Sequence, residues 1–124
     1  MANEISYQFQ MRLSNGGLTD AYSIGGLSAD QGVQGLVRNV QTISTGAGGD
    51  ALDLGSVVTN GWAIFSNLDS TNFVEVGIQI GGTFYAFLKL KGGEQAGPLR
   101  LGTAAPYARA DTASVKLFYI IYND

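Results

Sequence analysis

Between residues 4 and 13 polar and apolar side chains alternate one for one: Ile5, Tyr7, Phe9, Met11 and Leu13 interleave with Glu4, Ser6, Gln8, Gln10 and Arg12. A period of two sends successive side chains to opposite faces of an extended chain, so this segment predicts a strand with one wet face. The alternation returns over 73–80, where Val74, Val76, Ile78 and Ile80 share a side, and over 113–122. No stretch of ten or more residues carries a helical period. A chain built this way buries its apolar faces by packing sheet against sheet, which predicts an all-β fold.

Glycine punctuates the strands. Ser14-Asn15-Gly16-Gly17 ends the first strand in a turn that opens a hairpin, with 18–23 as the returning strand and Gly25-Gly26 breaking the pattern. A β-branched strand follows over 33–44, then a loop at Thr45-Gly46-Ala47-Gly48-Gly49-Asp50 and a short strand over 51–58 with an irregularity at Gly55. Residues 61–68 form a nearly continuous apolar run, the mark of a core strand, with Trp62 read as a core side chain. Gly81-Gly82 between two alternating runs predicts a two-residue hairpin turn. A short strand at 99–101 and an irregular stretch near Pro106 precede the last strand. There Val115, Leu117, Tyr119 and Ile121 lie on one face, and Phe118, Ile120 and Tyr122 on the other, which implies burial on both sides. About eight strands at this spacing, with no linker or repeat, predict one β-sandwich domain over residues 1–124, of jelly-roll or related Greek-key type.

The 124 residues and 45% hydrophobic content suffice for one modest core. Histidine and cysteine are absent, so the usual neutral-pH base, the thiolate nucleophile, disulfides and the common haem, iron–sulfur and zinc-finger ligand sets are not available. Charge is sparse: 14% of residues and a net −3, against about 25% charged in an average chain. Such a surface predicts partial cover by another protein, hence an oligomer. It does not favour nucleic acid, since Lys89, Lys91, Arg100 and Arg109 are the nearest approach to a basic cluster. No apolar run is long enough for a membrane-spanning helix, and the first ten residues lack the pattern of a secretory signal, so a cytoplasmic origin is expected.

Candidate chemistry is thin. Gly46-Ala47-Gly48-Gly49 lacks the Lys and Ser/Thr that complete a phosphate-binding loop, and reads as a plain loop. Asp50, Asp53 and Asn60, or Asn67, Asp69 and Asn72, offer oxygen ligands without the spacing of a calcium loop. Asn67, Asp69 and Asn72 read instead as turn caps. No carboxylate pair stands out for hydrolysis, so no catalytic residue, cofactor or metal is expected.

The block Gly61-Trp62-Ala63-Ile64-Phe65-Ser66-Asn67-Leu68-Asp69-Ser70-Thr71-Asn72-Phe73-Val74-Glu75-Val76-Gly77, the stretch Phe87-Leu88-Lys89-Leu90-Lys91-Gly92-Gly93-Glu94 and the final strand to Tyr122 resemble small virion proteins of tailed bacteriophages, as does the opening Met1-Ala2-Asn3-Glu4-Ile5. The resemblance covers about half the chain. It implies a non-enzymatic capsid decoration or cement protein on the exterior of a virion assembled in the host cytoplasm. Its expected partners are a major capsid protein and further copies of itself, as a homotrimer or a dimer. A tail or head-fibre component, or a receptor-binding or carbohydrate-binding module, is the alternative. Arginine and tyrosine are enriched where proteins meet, so Tyr85, Phe87, Arg100, Tyr107, Arg109, Phe118 and Tyr122 are the expected contact residues. Tyr7 and Phe9 join them on an edge strand, 7–13, which, or else the chain end before it, is open to strand addition from a neighbour.

Overall fold

The computed structural model describes residues 3–124, and within them ten strands form, every pair antiparallel. They are β1 (Ile5–Asn15), β2 (Leu18–Ala29), β3 (Leu36–Ile43), β4 (Asp50–Ala51), β5 (Asn60–Asn67), β6 (Val74–Ile80), β7 (Thr83–Leu90), β8 (Gln95–Arg100), β9 (Tyr107–Ala110) and β10 (Val115–Asn123). Eight of them pair in a nested series: β3 with β10, β4 with β9, β5 with β8 and β6 with β7. Further pairing of β10 with β5 and of β6 with β9 gives two four-stranded sheets, ordered β3-β10-β5-β8 and β4-β9-β6-β7. This nested antiparallel order is the topology of a jelly roll. The remaining two strands, β1 and β2, form a separate two-stranded ribbon.

The core lies between the two sheets. β10 runs centrally, between β3 and β5, and its alternation turns Val115, Leu117, Tyr119 and Ile121 inward, with Phe118, Ile120 and Tyr122 on the outer face. Ile43 and Phe65 meet them from the same sheet, and Val74, Val76, Leu90, Ala108 and Ala110 from the other. Each such side chain contributes about 1.5–3 kcal/mol through burial. The buried phenol of Tyr119 is satisfied in detail. The Tyr119 hydroxyl donates to the Asp53 carbonyl (2.7 Å) or to Gln41 Oε1 (3.0 Å) and accepts from Asn39 Nδ2 (3.1 Å). Burial raises its pKa above the usual 10.0.

The turn chemistry follows the sequence closely. Gly81 and Gly82 both have positive φ, +58° and +83°, which suits the hairpin turn that joins β6 to β7. Asn67 caps the 67–72 turn: its Oδ1 accepts from Asp69 N (2.9 Å), while its Nδ2 donates to the carbonyls of Asn72 (2.8 Å) and Leu90 (3.0 Å). Asp69 in turn accepts from Asn72 N. The 45–50 loop is closed by Gly49 N donating to Gly46 O and by Asp50 accepting from both the amide and the hydroxyl of Ser44.

Several boundaries depart from the sequence reading. Gly25-Gly26 does not end the second strand. The one residue on β1 between Tyr7 and Phe9, Gln8, faces two on β2 between Ile24 and Leu27, so the glycines form a bulge, with Gly26 at φ +71°, inside a continuous β2. Of the expected 51–58 strand only Ala51 enters a ladder, joined by Asp50 from the expected loop, while the irregular stretch after Pro106 supplies β9. A second bulge lies opposite Val76 and Gly77, with its extra residue on β7, and the expected row on β6 is buried only in part: Val74 and Val76 are buried, but Ile80 is exposed. Trp62 is not a core residue: it stands on the outer face of its sheet, paired with Arg100 of β8. Met1 and Ala2, which open the quoted block, lie outside the described residues.

Candidate functional site

The β1–β2 ribbon leaves the jelly roll with most of its surface uncovered. Every residue from Gln10 to Gly26 is exposed. The register pairs Phe9 with Ile24, Met11 with Tyr22, Leu13 with Asp20 and Asn15 with Leu18, so these side chains share one face. The other face carries Gln10, Arg12, Ser14, Thr19, Ala21 and Ser23. The ribbon is thus amphipathic, with an apolar stripe along one side. On that stripe Met11 is 72%, Leu18 61% and Tyr22 55% exposed. From Phe9 to its tip the ribbon reaches about 20 Å at ~3.4 Å per residue.

Its base is fixed to the body. Ile5 is buried, Tyr7 stacks on Trp62 with ring centroids 4.4 Å apart, and Phe9 meets Tyr7 edge-on at 5.6 Å. Just past the ribbon, Gln31 Nε2 donates to the carbonyls of Gly35 (2.9 Å) and Asn123 (2.8 Å), while Gln31 N donates back to Glu4 Oε2 (3.2 Å). A groove of ≈ 240 Å³ runs along this junction, lined by Ile5, Tyr7, Trp62, Ile64, Pro98 and Tyr122. The Trp62 Nε1 atom is buried with no hydrogen-bond partner among the described residues.

Beyond the groove the outer face of the β3-β10-β5-β8 sheet continues as an open apolar surface. Cross-strand pairs Val40–Phe118, Arg38–Ile120 and Leu36–Tyr122 lie side by side, with Ile64 next to Ile120. Leu36 and Val40 are exposed, and Phe118, Ile120 and Tyr122 are half-buried. Arg38 sits 5.7 Å from the Phe118 ring centroid. Among the described residues no group of three or more histidines, cysteines, aspartates or glutamates is placed to hold a metal ion.

The residues expected at contacts divide between the two sheets. Tyr7, Phe9, Arg100, Phe118 and Tyr122 gather around the ribbon base and the outer face of its sheet. Arg100 there is ion-paired with Asp124. Tyr85 and Phe87 are both more than half exposed, but on β7, the edge of the other sheet, with Phe87 the extra residue of the Val76/Gly77 bulge. Tyr107 and Arg109 are half-buried on β9. Arg109 is held internally, 3.0 Å from Glu75 and 4.9 Å over the Phe84 ring, in a cleft with Thr45, Phe73 and Asp111. Lys89, over Phe73 (4.2 Å), and Arg109 flank Glu75 on one sheet while Arg100 stands on the other, so Lys89, Lys91, Arg100 and Arg109 do not form one patch.

Leu18, Tyr22, Ile24, Leu36, Arg38 and Val40 were not among the expected contact residues. The signal for the first three was the turn at Gly16-Gly17: pairing the strands outward from it aligns Tyr22 with Met11 and Ile24 with Phe9. The signal for the last three was weaker, since β3 alternates between two half-polar faces. Compared with family models, curated proteins and solved structures, the chain matches none.

Proposed function

We propose that the chain is a structural protein of a virion, a capsid decoration protein that binds the assembled head shell and stabilises it by bridging neighbouring capsomers. The observation that carries this reading is the uncovered amphipathic ribbon projecting from a jelly roll. An isolated two-stranded hairpin is at best marginally stable in water, so a ribbon with Met11 and Tyr22 in the open calls for a protein surface to lie against. The jelly roll is itself a fold used by viral capsid and lectin domains, which agrees with the reading without deciding it. A partner that exists only in the assembled shell makes binding stabilise that shell by linkage, and repetition around the lattice multiplies modest contacts through avidity. The major capsid protein is that partner, and self-association multiplies the contacts.

The test is to add purified protein to expanded heads assembled without it. Saturable occupancy at fixed lattice positions and a higher temperature of DNA release are expected. Heads that take up none of it, or release DNA at the same temperature, refute the reading. The groove lined by the aromatic side chains of Tyr7, Trp62 and Tyr122 favours one second reading, a carbohydrate-binding tip of a tail or head fibre. Binding on a glycan array that Tyr122→Ala abolishes distinguishes it.

A further inference from the structure

We infer that the ribbon of one chain lies, apolar stripe down, on the outer β3-β10-β5-β8 face of a second copy, so that the protein self-associates by exchanged arms. The inference rests on reading the ribbon as an interaction arm and names what it grips. Four observations point to a second copy of this chain as the occupant of the stripe, which leaves the shell contact to the remaining surface of the oligomer.

The first is chemical identity. At the ribbon's base the same stripe already rests on this very face, through Tyr7 on Trp62 and through the groove with Ile64 and Tyr122. The second is that one chain cannot satisfy itself. From Gln10 outward the ribbon touches solvent, while Leu36 and Val40 on its own body stay exposed. A second copy covers both surfaces at once.

The third is charge. Asp20, opposite Leu13, is the single ionisable carboxylate on the stripe. Facing outward on the sheet are Arg38 and Lys116, and among the described residues neither has a carboxylate within ion-pair distance. The fourth is area. The stripe exposes on the order of 500 Å² of apolar surface, the size of the largest patch on a typical monomer. Reciprocal exchange buries two stripes and the two faces they cover, which reaches the ~1,200–2,000 Å² of stable interfaces. A closed ring of three exchanges satisfies the same surfaces.

Two variants break the contact from opposite sides without touching the core: Met11→Asp with Tyr22→Asp on the ribbon, and Val40→Asp with Leu36→Asp on the face. All four positions are exposed, so far-ultraviolet circular dichroism should match the parent. Light scattering coupled to size exclusion is expected to give a dimer or trimer of the 13.0 kDa chain for the parent and a monomer for each variant alone. Mixed one to one, the two variants regain only one of the two exchanged contacts, the intact ribbon of one on the intact face of the other, so chemical cross-linking at raised concentration should capture a mixed pair that neither variant forms alone. A monomeric parent, a variant that still associates alone, or a mixture that cross-links no better than the single variants overturns the inference. Shell binding is read separately: a monomeric parent that still decorates heads refutes arm exchange and leaves the capsid reading standing, and an oligomeric parent that ignores heads does the reverse.

Discussion

The rings of Tyr7 and Trp62 lie 4.4 Å apart with their planes inclined by 35°. Through this pair the apolar stripe of the ribbon becomes continuous with the outer face of the jelly roll, and the direction of the arm is fixed at its root. Aromatic pairs in this distance range add about 0.5–1.5 kcal/mol beyond the area they bury.

Because Trp62 is the sole tryptophan, its fluorescence reports whether the ribbon is seated. Tyr7→Ala should shift the emission to longer wavelength and destabilise the fold by about 2 kcal/mol, less than a fully buried aromatic truncation. An unshifted emission maximum in that variant would mean that Trp62 is covered by something other than the ribbon.

Gly77 holds the β6–β7 bulge closed. A Cβ there would stand 1.9 Å from the Tyr85 carbonyl oxygen, and that neighbour is backbone, so it cannot rotate away. Gly77→Ala should cost about 3 kcal/mol by overpacking, seen as a lower denaturation midpoint. Gly16→Ala serves as the contrast: the space around it is empty, and only its φ of +58° opposes a side chain, at a cost of about 1 kcal/mol.

Asn67 ties three backbone groups together from a position with 1% exposure. Asn67→Ala leaves the Asp69 amide and the Leu90 carbonyl unpaired, at a cost of about 1–3 kcal/mol for each buried group. Amide hydrogen exchange at Asp69 should accelerate by more than at positions across the sheet. Equal acceleration everywhere would argue against a local role.

Tyr119 makes stability depend on alkaline pH. Its folded pKa is raised, chiefly by burial, above the 10.0 of an exposed phenol. The folded state therefore favours the neutral form. That contribution is complete below the unfolded value and is lost as pH climbs through the folded one. Urea titrations should show parent stability falling above pH 10.0 more steeply than that of Tyr119→Phe. At neutral pH the same variant should be weaker by about 1–3 kcal/mol, because Asn39, Gln41 and the Asp53 carbonyl lose their partner. Parallel curves across the alkaline range would remove Tyr119 as the titrating group.

The Arg100–Asp124 pair is exposed on both sides, and surface pairs contribute about 0–1 kcal/mol. Arg100→Ala should leave the denaturation midpoint nearly unchanged, and a large loss would show that the pair is part of a wider network.

The period of two, the β-branched runs and the positive-φ glycines dictated strands and turns, because these are local steric preferences that need no partner to act. They fixed the inward row of β10 and the Gly81-Gly82 hairpin, and they identified Asn67, Asp69 and Asn72 as turn caps. Only the tertiary structure decided which alternating strands found cover. The same apolar alternation that buries Val115 to Ile121 leaves Met11 and Leu13 in solvent, because burial depends on where another sheet stands and not on the pattern that could use it. Trp62 illustrates the limit most sharply: an apolar run cannot state which of its two faces turns inward, and the nested pairing of eight strands turned this one out, toward the ribbon.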